Sequence, residues 1–72
     1  MTEVALSHAP ELHGFALRLC DNKPEADDLL QETFVKALSK RTQLRERSAI
    51  RAWLFRIMRN IHIDRRKSAA YR

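Results

Sequence analysis

The sequence predicts an all-α fold, a compact three-helix domain, and three observations carry that prediction. Apolar residues recur at helical spacing in three separate stretches, no run alternates with period two for long enough to make a strand, and one glycine and two prolines leave few breaks. With 72 residues and 8.5 kDa there is room for one module and no second core of any size. The first helix is expected over about residues 10–19, where Leu12, Phe15, Ala16 and Leu19 fall at i, i+3, i+4 and i+7. Val4 and Leu6 extend its apolar face if Pro10 kinks the chain or starts a turn.

The segment from Asp21 to Glu25 ends that helix and opens the next, expected over about residues 24–40. Asn22 suits the cap, Pro24 the first turn, and Glu25 stands three residues after Asn22 as in a capping box. Ala26, Leu29, Leu30, Thr33, Phe34, Ala37 and Leu38 form the stripe expected to be buried, and Glu25, Asp27 and Asp28 crowd the end where the helix dipole favours negative charge. Opposite the stripe lie Asp28, Gln31, Glu32, Val35 and Ser39, an acidic polar face with one aliphatic group near its middle. Residues 41–47 offer only Leu44 for burial and read as a charged connection closed by Ser48 as an N-cap. The third helix is expected over about residues 48–67, with Ile50, Trp53, Leu54, Ile57, Met58 and Ile61 as its stripe and Trp53 as a core anchor. A basic tail of small residues, Ser68 to Arg72, follows.

Charge is distributed unevenly along the chain. The first 35 residues hold two basic and seven acidic side chains, the remaining 37 hold twelve and two. Such asymmetry implies an anionic polymer as partner for the second half and a protein surface for the first. A lone Cys20 excludes an intramolecular disulfide, and His8, His13 and His62 lack the spacing of metal ligands. No stretch has the roughly 20 apolar residues of a membrane span, and the N-terminus lacks the basic start of a signal peptide, so a cytoplasmic location is expected. Asp27, Asp28 and Glu32 share a helix with no nucleophile, metal partner or glycine-rich phosphate loop, which suits capping and charge display better than acid-base work; an enzyme is not expected, nor a cofactor.

At about 100° per residue the third helix confines its core residues to an arc of about 140°. The rest of its circumference carries Arg51, Phe55, Arg56, Arg59, Asn60, His62, Ile63, Arg66 and Lys67. Between Arg51 and Lys67 six Arg and Lys are offset by Asp64 alone, whereas a merely soluble helix mixes signs for i, i+4 pairing. A single-sign surface is what phosphate neutralisation requires; Phe55 could stack on an unpaired base, and Arg56 and Asn60 could read base edges.

Two strings in this chain resemble a known family. Asp27-Asp28-Leu29-Leu30-Gln31-Glu32-Thr33-Phe34, and then Ser48-Ala49-Ile50-Arg51-Ala52-Trp53-Leu54-Phe55-Arg56-Ile57-Met58-Arg59-Asn60 followed by Asp64-Arg65-Arg66, are similar to region 2 of bacterial sigma factors of the extracytoplasmic-function (ECF) type. The likeness covers roughly residues 10–68. It implies a promoter-recognition module of core RNA polymerase in which Asp28, Gln31, Glu32 and Val35 dock on the β′ clamp helices. It also implies that a loop over Arg45 to Ile50 and the following helix hold the minus-ten promoter DNA, mainly as the nontemplate single strand, with an unstacked base captured in the loop. Arg45, Arg47, Ser48, Arg51, Phe55, Arg56, Arg59, Asn60, Ile63 and Arg66 are the residues expected at that DNA. Where relatives commonly carry a glycine and an aromatic in the loop, this chain has Glu46-Arg47-Ser48-Ala49-Ile50. The resemblance further implies an anti-sigma factor as partner and, since the second DNA-binding domain usual for the minus-thirty-five element is not in this sequence, either a fragment of a longer factor, which is favoured, or an atypical single-domain form. Two other readings compete: a homeodomain-like or helix-turn-helix duplex-binding domain, and a basic helical module for a protein or anionic membrane surface without insertion.

Overall fold

A computed structural model of the chain describes residues 2–70. Four helices build it: α1 (Thr2–Ser7), α2 (Ala9–Leu19), α3 (Lys23–Ser39) and α4 (Ile50–Ala70), with no strand among the described residues. Two short 3-10 turns, Arg41–Gln43 and Arg47–Ala49, carry the chain from α3 to α4. α3 packs against both α2 and α4, and α1 lies against α2 and α4, in a body of 37 × 23 × 16 Å.

The extension before Pro10 is a separate helix rather than a continuation. Pro10 has no N–H for the Leu6 carbonyl, and its ring would press on that carbonyl. The chain therefore turns at His8, whose N–H reaches the Ala5 carbonyl at 3.1 Å while its own carbonyl accepts the Leu12 N–H at 3.0 Å. The turn also changes which side of α1 faces inward: Ala5 is buried, and Val4 and Leu6, expected on the apolar face, are exposed. α3 starts as its sequence implies, with Asn22 Oδ1 accepting the Glu25 N–H at 2.9 Å and Pro24 in the first turn. α4 does not start on a serine cap. Ser48 lies inside the second 3-10 turn, where the Ala49 N–H bonds the Glu46 carbonyl at 3.1 Å and the Ile50 N–H the Arg47 carbonyl, so backbone groups occupy the place of the cap. At its other end α4 runs on through Ser68 and Ala69 to Ala70, and of the expected tail Tyr71 and Arg72 lie outside the described residues.

Leu12 and Ala16 of α2, Ala26, Leu29 and Ala37 of α3, and Ile50, Leu54, Ile57, Met58 and Ile61 of α4 make the core with Ala5. Four alanines in that set let the helix axes approach closely around the larger Leu12, Leu29, Leu54 and Met58. Thr33 is the one buried polar side chain among the described residues, and its hydroxyl donates to the Leu29 carbonyl at 2.8 Å, so its burial leaves no unsatisfied group. Two stripe residues behave differently from expectation. Leu38 is exposed because it falls about 135° from the middle of the stripe set by Ala26, Leu29, Thr33 and Ala37. Trp53, about 90° off the centre of the α4 stripe, is half-buried at the edge of the core rather than anchored inside it.

Candidate nucleic-acid interface and docking face

The loop after α3 and the outer side of α4 form one continuous cationic region. Arg45 and Arg47 stand exposed on the loop, with Ser48 beside them, and Arg56, Arg59, Asn60, Arg66 and Lys67 stand exposed on α4. None of the arginines at 45, 47, 56, 59 and 66 enters an ion pair among the described residues, so their charge is presented to solvent in full. Between loop and helix lies a cleft of about 350 Å³, lined by Leu44, Arg45, Glu46, Trp53 and Arg56 among others. That volume lies within the range of small-ligand pockets, about 300 to 1,000 Å³. The position of Trp53 follows from its place off the stripe centre: the indole forms a wall of this cleft.

Three residues expected at the DNA, Arg51, Phe55 and Ile63, have contacts within the fold or are half-buried. The Phe55 ring is half-buried against Phe15 of α2, centroids 5.2 Å apart and planes at 42°, and the Arg51 guanidinium sits 5.0 Å from its centroid. Arg51 Nε also donates to Glu11 at 2.5 Å, so Arg51 ties α4 to α2 while its side chain stays exposed, and Phe55 packs half-buried on α2. Ile63 is half-buried on the α3 side of α4, and His62 borders a separate hollow with Cys20 and Arg65. Burial pushes the Cys20 thiol up, the Glu25 carboxylate pushes it the same way, and Asp21 adds to both against an opposing pull from Arg65; the thiolate a nucleophile needs is disfavoured.

The α3 face is organised by a residue that the sequence reading did not single out. Arg65 Nη2 donates to Asp28 Oδ2 at 2.8 Å and also reaches Glu32 Oε2. Burial opposes the charge on Arg65, but its bonds to Glu32 and Asp28 outweigh that and raise its pKa. A signal was available: Leu54, Met58, Ile61 and Arg65 are spaced i, i+4, i+7 and i+11, so Arg65 continues the buried stripe, where a charge needs an opposite partner close by. Gln31 and Val35 stay exposed on the outer side of α3, Val35 at 65%. Nearer the start of α3, Asp27 takes a 2.8 Å bond from His13 Nε2 and a 3.2 Å contact from Lys23, and the His13 bond is the larger reason its carboxyl is held below the usual range. Among the described residues no three His, Cys, Asp or Glu side chains converge as metal ligands, and no helix is long and apolar enough to cross a membrane.

The described residues thus form a small helical body with compensated carboxylates on one helix and open cations on another. The sigma-70 region 2 family model matches residues 4–71, and the chain belongs to that family. It is 43% identical over 56 residues to the ECF RNA polymerase sigma factor EcfG of Rhodopseudomonas palustris, an alignment covering 78% of this chain and 31% of that protein. The ECF RNA polymerase sigma factor SigL of Mycobacterium tuberculosis is 39% identical over 66 residues, 90% of this chain and 37% of that protein. SigM of Bacillus subtilis, of the same description, is 34% identical over 62 residues, 86% of this chain and 37% of that protein. The chain thus spans about a third of the length of these curated relatives. No solved structure matches it.

Proposed function

We propose that this region 2 module acts in transcription initiation in the cytoplasm, as a non-catalytic bridge between core RNA polymerase and the minus-ten promoter element. The outer side of α3, with Gln31 and Val35 exposed and Asp28 and Glu32 beside them, is the docking face for the β′ clamp helices. The loop and α4 hold the nontemplate single strand: Arg45, Arg47, Arg56, Arg59 and Arg66 neutralise phosphates, Asn60 and Ser48 offer hydrogen bonds, and the cleft beside Trp53 receives an unstacked base. Arg51 and Phe55 tie the start of α4 to Glu11 and Phe15 of α2 beside that surface. One observation carries the reading: five arginines of the loop and α4 have no ion-pair partner among the described residues, an arrangement that burdens a free domain with repulsion and suits a polyanion.

Extruding a base from the stack requires a few kcal/mol, which the cleft and the polymerase together must offset, so the module alone binds DNA weakly. An anti-sigma factor that covers either face would silence it. The deciding experiment is a pull-down of core polymerase, or of its β′ clamp helices, by wild type and by Gln31→Ala/Glu32→Ala. Wild type is expected to capture polymerase and the double variant to lose most of that capture with its helical signal intact. Absence of capture by wild type overturns the reading, and undiminished capture by the variant overturns the residue assignment.

A further inference from the structure

α3 and its C-cap residue Lys40 turn one row of side chains toward α4, Asp28, Glu32, Lys36 and Lys40, each four residues after the last. The row changes sign halfway. Asp28 and Glu32 close on Arg65, whereas Lys36 and Lys40 border a cleft of about 490 Å³ whose α4 side carries Asn60, Asp64 and Lys67. Three ammonium groups face a single carboxylate there, and none of the three lysines forms an ion pair among the described residues. Asn60 belongs to this cleft and to the outer face of α4 alike, so the cleft joins the arginine surface without a break.

We infer that Lys36 and Lys40 carry the phosphate track of the bound strand off α4 and onto α3. This rests on the DNA reading above and adds residues that neither the family motifs nor the periodicity of α4 point to. The occupant follows from charge and continuity. A free phosphate would need a built anion site with buried partners, and Lys40 and Lys67 are exposed. A strand already held at Asn60 needs only compact positive charge along its path, which lysine supplies as a point charge without fixed geometry. The contacts are therefore indifferent to sequence and contribute affinity rather than specificity.

A rival role exists for the same residues. Lys36 and Lys40 lie at the C-terminal end of α3, where positive charge meets the negative end of the helix dipole and stabilises the helix without any ligand. The two roles separate in a salt titration. Anisotropy of the full chain with short labelled single strands of two unrelated sequences gives log K against log salt for wild type, Lys36→Gln/Lys40→Gln and Lys36→Arg/Lys40→Arg. Loss of two phosphate contacts is expected to reduce the steepness by about 1.4, at about 0.7 per contact on a single strand, equally for both sequences, and the arginine pair is expected to restore it. Intact wild-type binding with an unchanged slope in the glutamine variant, whatever its melting temperature, overturns the lysine track alone. If wild type binds neither strand, with or without core polymerase, the DNA reading falls and takes the track with it.

Discussion

The three adjacent carboxylates of α3 and the arginines of α4 and its loop handle charge in opposite ways. Asp27 is met by His13 and Lys23, and Asp28 and Glu32 share Arg65, so on α3 the negative charge is largely compensated within the molecule. Arg45, Arg47, Arg56, Arg59 and Arg66 have no such partners among the described residues. Compensated charge projects little field, and a surface of that kind, which exposes Gln31 and Val35, suits binding through contact, as proposed for docking. Uncompensated charge reaches about a Debye length, roughly 8 Å at physiological salt, and steers a polyanion before contact. The acidic composition of the first half of the chain therefore overstates the field on α3, while the basic composition of the second half is expressed nearly in full. DNA binding should fall steeply with salt, and polymerase docking only gently.

The severest way to break this contrast is through the core both faces share. Leu54 is fully buried among Leu12, Leu29 and Met58. Replacing Leu54 by alanine should cost about 2 to 5 kcal/mol. A domain of this size holds roughly 0.05 to 0.15 kcal/mol per residue in all, so the variant loses a large share of its stability. Thermal melting by circular dichroism should drop sharply, and DNA binding and docking should decline together with the helical signal. Loss of only one binding activity at an unchanged melting temperature would mean the two faces do not depend on a common scaffold.

A smaller effect sharpens the contrast. Arg65→Ala leaves Asp28 and Glu32 without their shared cation and turns a compensated face into an acidic one. Both carboxylates are partly exposed and Arg65 is 37% exposed, so the stability change should stay within about 1 kcal/mol. Docking on polymerase should become visibly salt-dependent while the DNA salt slope stays as in wild type. Equal salt responses for docking before and after the substitution would show that the Arg65 bridge does not shape that face.

How far the sequence revealed this arrangement depends on which contacts decide each residue's place. The stripes centred on Leu29 and Leu54 and the Asn22 cap were legible because neighbours within four residues determine them. Trp53 and Leu38 sit at the edges of those stripes, where burial depends on what packs alongside; the loop leaves Trp53 half open and Leu38 stays exposed. Pro10 marked the break before α2, but the rotation that buries Ala5 in place of Val4 and Leu6 comes from how α1 meets α2 and α4. The candidate site divides in the same way. Open arginines could be read from the single-sign run on α4, whereas the pairing of Arg51 with Glu11 and of Phe55 with Phe15 bridges 40 residues in sequence. The Arg65 bridge to Asp28 and Glu32 likewise depends on how α3 crosses α4, which no periodicity within one helix specifies.

The smallest effect tests whether the compensation on α3 extends to Asp27. Its bonds to His13 and Lys23 hold the carboxyl below the ordinary aspartate value of 3.8. A group with a lower pKa folded than unfolded stabilises the fold above the unfolded value and loses that contribution as pH falls through the folded one. The melting temperature of wild type should therefore exceed that of Asp27→Asn by a small margin near about pH 5, and the margin should close as the pH drops below the ordinary aspartate range. His13→Ala should narrow the same margin more than Lys23→Ala, because the His13 bond is the larger of the two causes. A margin that widens in acid would mean that Asp27 is protonated more readily in the folded chain than in the unfolded one, and the compensated character of this face would then begin only at Asp28.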